Sequence, residues 1–226
     1  MKEESIYPHL SHICQILTLL PLTPKHATHP GIIGSYMKLS SLFRALRPHH
    51  WVKNIVVFGA LVFDRKLMEP MYFNRTAVAF GLLCLLASSV YLINDVVDLN
   101  RDRLHPRKRY RPVASGELSQ VAALAIALFL ALLVLPLGYL LNVWFGCLAT
   151  IYWFQNLAYS LRLKHVVIID VLIIAFGFVL RVACGAVLVD VEQAPLGSPW
   201  IYMCIALGSL FIALGKRRHE LTLITS

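Results

Sequence analysis

Charge is scarce in this sequence. Only 15% of the 226 residues are Asp, Glu, Lys or Arg, while 58% are hydrophobic; a soluble globular domain carries about 25% charged and about 45–50% apolar residues. That shortage excludes an ordinary soluble domain and implies an integral membrane protein. Carboxylates are scarcer than bases, 12 against 21. In so apolar a chain the basic excess points to lysines and arginines retained on the cytoplasmic side of a membrane, and no nucleic-acid partner is expected. Cysteine is sparse as well: Cys14, Cys84, Cys147, Cys184 and Cys204 are dispersed and form no C-x-x-C, so neither a disulfide framework nor a thiolate zinc site follows. The histidines form no H-E-x-x-H pair and read as solvated or interfacial groups.

What the chain has is long apolar runs. Residues 1–40 are the exception: the run Ile13–Leu20 is much shorter than the ~20 residues of a spanning helix. Glu3 and Glu4 also spoil the basic start of a signal peptide. This segment reads as a poorly ordered tail, with Met37, which opens the basic amphipathic stretch "MKLSSLFRALRPHHW", as an alternative natural start. From there the runs predict an all-α, polytopic transmembrane bundle of about six spans. They lie near Trp51–Phe63, Phe73–Ile93, Val121–Leu141, Val143–Leu161, Val166–Val189 and Trp200–Leu214. Asn142 is the one polar break between the third and fourth and implies a very tight turn.

Basic residues in short loops set the orientation. Arg44, Arg47 and Lys53, the run Arg101–Arg111, Arg162 with Lys164, and Lys216–Arg218 all fall on one side, which the positive-inside rule makes cytoplasmic. Both ends of the chain are expected there, in the inner (plasma) membrane.

The chemistry gathers in "NDVVDLNRDRLHPRKRYRP". Asp95, Asp98 and Asp102 are spaced i, i+3 and i+7, one stripe of a helix that Asn94 joins. Like charges so close persist when a cation sits among them, and hard oxygen ligands select magnesium, manganese or calcium. The alternative is a solvated helix end paired with the neighbouring arginines. Lys108 and Arg111, in the basic loop beyond it, are candidate phosphate contacts. On the fifth span Asp170, Gly177 and Arg181 share a face at i, i+7 and i+11, with Arg181 about 16 Å deeper. An arginine at that depth is a site candidate unless it snorkels or serves a structural pair. Lys53 and Asn54, just inside the membrane edge, suit a ligand role or an interfacial anchor equally.

"NDVVDLNRD" resembles the N-D-x-x-D-x-x-x-D signature of the UbiA superfamily of intramembrane prenyltransferases. Together with "LRPHHWVKN", "YSLRLKHVVIIDVLIIAFGFVLRVACG" and "GSLFIALGKRRHEL", the set looks like that superfamily's decaprenyl-phosphate phosphoribosyltransferase branch from about Leu42 to Leu221. The resemblance implies a helical fold of about nine spans, so the domain 41–226 is expected to be incomplete at its C-terminus. It implies magnesium-dependent transfer of 5-phosphoribose from phosphoribosyl pyrophosphate to a polyprenyl phosphate, with diphosphate released. Asn94, Asp95, Asp98 and Asp102 would hold Mg2+ on the leaving group. Lys53, Lys108 and Arg111 would bind phosphates, Asp170 a second metal or the ribose, and Arg181 the lipid phosphate or a cavity brace. The lipid bilayer and a homo-oligomer complete the expected partners. Two other readings stay open: aromatic prenylation from a prenyl diphosphate, and a degenerate protein, channel or subunit without enzymatic activity.

Overall fold

An apolar chain with few breaks must satisfy its backbone internally, and helices do so. The structure is a computed structural model that describes the backbone of residues 39–161, 167–189 and 199–225 and the side chains of 39–161, 169–189 and 199–215. Contacts divide the chain between Tyr36 and Met37, and the described helices all belong to the second unit. The tail expected over 1–40, except Leu39 and Ser40, lies outside the described residues, as do Arg162, Lys164 and the side chains of Lys216–Arg218.

Every element among the described residues is helical. In chain order they are α1 (Leu39–Leu46), a 3-10 helix (Pro48–Phe58), α2 (Gly59–Phe63), α3 (Pro70–Val97), α4 (Leu99–Leu104), a 3-10 turn (Lys108–Tyr110), α5 (Gln120–Leu141), α6 (Val143–Leu161), α7 (Val167–Val189) and α8 (Pro199–Thr225). Three of them, Pro70–Val97, Gln120–Leu141 and Ile169–Val189, are long and apolar enough to cross a membrane, and Pro199–Gly215 is a shorter apolar helix.

The first expected span differs in kind from the others. It is a 3-10 helix passing into the short α2. At about 2.0 Å rise per residue in the 3-10 part and about 1.5 Å in the α part, the sixteen residues of Pro48–Phe63 extend about 30 Å, the thickness of a hydrocarbon core. The stretched geometry lengthens a short run. It also thins the segment: a Cβ on Gly185 of α7 would sit 1.9 Å from the Val57 carbonyl oxygen, so the two backbones touch.

Small residues set the other contacts. The buried stripe of α5 is Ala123, Ala127, Ala131, Val134 and Gly138, which lets α3 approach closely, as helices in lipid do. Leu124, Leu128, Phe129 and Leu132 point outward. At Asn142 the chain reverses: its side chain accepts from the Phe145 amide at 3.1 Å, capping α6. A Cβ on Gly146 would lie 2.5 Å from the Tyr139 ring, so the turn expected there closes only around glycine. The main core joins Val57, Leu83, Leu86, Phe145, Tyr152, Leu180, Cys184 and Leu188. A second cluster, with Ala45, Leu92, Leu99, Val113, Leu118 and Ala127, anchors the end of α3 and its basic loop.

Candidate functional site

The acidic stripe forms at the end of α3 as its spacing predicts, with a slight break. α3 stops at Val97 and α4 starts at Leu99, but the Asp98 amide still donates to the Asn94 carbonyl and the Asp102 amide to that of Asp98. Register therefore carries through, and Asp95 and Asp102 reach one partner. Arg111 Nη1 donates to Asp102 Oδ2 at 2.6 Å and to Asp95 Oδ1 at 3.2 Å. Arg47 pairs with the same Asp95 oxygen. Asp95 is 1% exposed and Asp102 is buried, while Asn94 and Asp98 are half-buried.

In the sequence Arg47 counts only toward orientation, and no site role is read from it. Pro48 disfavours the right-handed helical conformation at the residue before it, and Arg47 takes a left-handed one, φ 53° and ψ 60°. That conformation costs a non-glycine residue about 1–2 kcal/mol. It aims the guanidinium back at Asp95 and over the Tyr91 ring, 5.1 Å from the centroid. Burial lowers the Arg47 pKa, and the carboxylate of Asp95 works against that.

A ladder of polar groups descends α3 from Asp95. Ser88 accepts from Trp51 Nε1 at 3.0 Å and donates to the Leu46 carbonyl. Cys84, four residues on, accepts from Asn54 Nδ2 at 3.3 Å. Asp95 to Cys84 is eleven residues, about 16 Å along an α-helix, and so is Asp170 to Arg181 on α7. The two descents meet: Arg181 Nε donates to Asn54 Oδ1 at 2.9 Å. Its Nη2 donates to the Tyr152 hydroxyl at 2.8 Å, and the guanidinium lies 4.9 Å from the Tyr152 ring and 5.1 Å from that of Phe178. Arg181 is 8% exposed, so its charge is held by oriented dipoles and two rings instead of water.

Asp170, also buried, accepts from the Tyr159 hydroxyl at 2.6 Å. Gln155 Nε2 donates to the Ile173 carbonyl at 2.7 Å. Tyr152, Gln155 and Tyr159 form an i, i+3, i+7 stripe inside an apolar run, a signal present in the sequence that the acidic motif overshadows. Lys53 and Lys108 lie on the exposed rim. The Lys108 amide donates to His105 Nδ1, and no described contact brings its ammonium to Asp95 or Asp102.

Among the described residues no three His, Cys, Asp or Glu side chains gather as a metal cluster. Arg47 and Arg111 lie against Asp95 and Asp102 and place positive charge beside them. One atom still fits a cation. Asp95 Oδ2 is buried and has no hydrogen-bond partner, and a carboxylate oxygen stripped of water and donors is what a hard divalent ion takes.

Comparison with known proteins agrees with this geometry. The sequence profile of the UbiA prenyltransferase family matches residues 55–219. The chain is 39% identical over 189 residues to a decaprenyl-phosphate phosphoribosyltransferase of Mycolicibacterium smegmatis, covering 82% of this chain and 58% of the relative. It is 37% identical over 188 residues to the Corynebacterium glutamicum protein of the same name, covering 80% of this chain and 55% of the relative. The chain thus spans a little over half the length of the curated relatives it matches. Its fold is similar to the structure of a UbiA homolog from Archaeoglobus fulgidus bound to GPP and Mg2+, with a TM-score of 0.61 at 21% identity, over 75% of this chain and 60% of that one. Its membrane-length helices, acidic stripe and family match all agree: the chain belongs to the UbiA prenyltransferase family.

Proposed function

We propose that this protein catalyses magnesium-dependent transfer of 5-phosphoribose from phosphoribosyl pyrophosphate to a polyprenyl phosphate, releasing diphosphate. The site faces the cytoplasm, with both ends of this chain on that side of the inner membrane. The observation that carries the reading is the 39% identity to a decaprenyl-phosphate phosphoribosyltransferase across four fifths of the chain. The geometry supports it: among the described residues Asp95 of α3 and Asp102 of α4 join Arg47 and Arg111 in one network, and α7 adds the carboxylate Asp170.

In the reaction an oxygen of the acceptor phosphate bonds to ribose C1 as the C1–O bond to diphosphate breaks, and the leaving diphosphate takes the electron pair. Magnesium, when held by Asn94, Asp95, Asp98 and Asp102, supplies charge neutralisation on that leaving group. Arg47 and Arg111 give the diphosphate planar, bidentate donors that a lysine would not match. Lys53 and Lys108 raise the local concentration of phosphates from the rim. Asp170, oriented by Tyr159, and Arg181, fixed by Asn54 and Tyr152, line the side where ribose and acceptor meet, and holding these in line supplies much of the rate.

The test is a transfer assay with the detergent-purified protein, phosphoribosyl pyrophosphate labelled in the ribose, and polyprenyl phosphate. Label should enter the lipid phase only when magnesium and polyprenyl phosphate are both present. Turnover of an aromatic acid with a prenyl diphosphate, and none of the ribose, would replace this reading with aromatic prenylation.

A further inference from the structure

On α3, Asp95, Tyr91, Ser88, Cys84 and Gly81 recur every three or four residues, which sets them on one face of the helix. The chain from Arg47 to Asn54 runs down that face. Arg47 pairs with Asp95, the His50 ring lies 5.1 Å from that of Tyr91, Trp51 Nε1 donates to Ser88 and Asn54 Nδ2 to Cys84. His50 therefore stands about one helical turn deeper than the carboxylate network, and Trp51 nearly a turn deeper again.

Two unlike surfaces meet along this line. At its upper end basic groups crowd together: the His49 ring lies 4.2 Å from His50, and the charges of Lys53, Arg47 and Arg111 act on the same His50 ring. At its lower end is an open groove of about 420 Å³, lined by Trp51 and, on α3, by Val78, Phe80, Gly81, Leu82 and Leu85. That volume falls within the roughly 300–1,000 Å³ of small-molecule sites. Val78 and Gly81 are exposed, and a Cβ at Gly81 would meet nothing within 4 Å, so the space over Gly81 is empty. Trp51 joins the two surfaces, since it follows His50 in the chain and its side chain lines the groove.

We propose that this line seats the acceptor lipid, with its phosphate at His49, His50 and Lys53 and its prenyl chain in the groove from Trp51 to Val78. A basic cluster above an apolar groove fits an anionic head on an apolar tail. A phosphate monoester carries nearly two negative charges at neutral pH, and a groove along one helix face suits one chain, whereas a phosphodiester lipid brings one charge and two chains. Tryptophan favours the boundary between water and hydrocarbon, where such a head must stop. The seat puts the phosphate about one turn, roughly 6 Å along the axis, from Asp95. From there an acceptor oxygen can meet ribose C1 of a donor whose diphosphate is held at that carboxylate. The inference rests on the phosphoribosyl reading given above and adds to it the path of the acceptor.

Calorimetry on the detergent-purified protein tests it, with farnesyl phosphate, a short-chain phosphatidic acid, and phosphoribosyl pyrophosphate plus magnesium as separate ligands. The proteins are wild type, Gly81→Leu and Lys53→Met. Gly81→Leu puts a side chain into empty space and removes a glycine from a helix interior, so it folds and fills the groove. It should weaken farnesyl phosphate about tenfold or more and leave phosphoribosyl pyrophosphate unchanged. Lys53→Met should weaken farnesyl phosphate about tenfold as well. If wild type binds phosphoribosyl pyrophosphate but farnesyl phosphate binds all three proteins alike, or none, the acceptor lies elsewhere and this inference fails while the function stands. Phosphatidic acid bound as tightly as farnesyl phosphate would make the groove a general lipid seat and also overturn it. Wild type that binds farnesyl diphosphate and no phosphoribosyl pyrophosphate would sink the phosphoribosyl reading and this inference with it.

Discussion

Arg181 donates to Asn54 across 127 positions of chain, at 2.9 Å, and both side chains are buried. A neutral amide oxygen thereby takes up part of a guanidinium charge in the middle of an apolar bundle. Asn54→Leu keeps the volume and removes the acceptor, leaving a buried donor unsatisfied. Its loss should cost about 2 kcal/mol, the range for hydrogen bonds to charged groups, read as a shift in unfolding of the detergent-solubilised protein. A variant as stable as wild type would show that Tyr152 and the two rings suffice.

Arg111 stands where a divalent ion would share Asp95 and Asp102. Arg111→Met removes its charge and leaves one buried carboxylate with Arg47 alone and the other without this partner. The metal-free protein should lose about 3 kcal/mol. Magnesium should then raise the melting temperature of the variant more than that of wild type, because the ion has less positive charge to displace. An identical magnesium response in the two proteins would mean that Arg111 and the ion do not compete.

The spacing of Asp95 and Asp102 was enough to put them on one face, and the structure keeps them there. It does not leave them as bare like charges: Arg47 and Arg111 lie against them, so the expected mutual repulsion is already answered. Arg111 comes soon after the acidic run and stood out there as a phosphate contact, but its pairing with Asp95 and Asp102 was not read. Arg47 was not legible, since it lies 48 positions before Asp95 and its backbone turns left-handed, which local propensity does not foretell. Tyr152 and Gln155 were written as a polar stripe in an apolar run, but only packing of α6 on α7 shows which groups they meet. The first run was legible as apolar and short; that most of it is a 3-10 helix with its Val57 backbone against that of Gly185 is a tertiary feature.

His50 provides a pH readout at the rim. It stacks on Tyr91 with centroids 5.1 Å apart. Its pKa falls from 6.5 to about 4, first through burial and then through the positive groups Lys53, His49, Arg47 and Arg111. The folded value lies below the unfolded one, so the stabilising effect of the neutral ring is complete above pH 6.5 and is lost as pH falls toward 4. In a nitrogen-15 histidine spectrum His50 should titrate near 4, and added diphosphate, by cancelling the neighbouring positive charge, should move that midpoint upward. A midpoint near 6.5, unmoved by diphosphate, would place the anion elsewhere.

Glu69 and Lys108 are exposed and bracket α3 and the basic loop after it. In a background without native cysteines, a cysteine at position 69 should react with an impermeant thiol reagent added outside the cell, and one at 108 only after permeabilisation. The reverse pattern would put the basic loop, proposed above to gather phosphates, on the face away from cytoplasmic sugar phosphates.

The most direct measurement is calorimetric binding of phosphoribosyl pyrophosphate to wild type and to Asp95→Asn, each with and without magnesium. The Asp95 carboxylate, with its unpartnered Oδ2, is where the donor's diphosphate and its ion are held in this account. Wild type should bind only with magnesium, and Asp95→Asn should bind at least about a hundredfold more weakly. Equal binding by the two proteins, or binding indifferent to magnesium, would contradict the account at its centre.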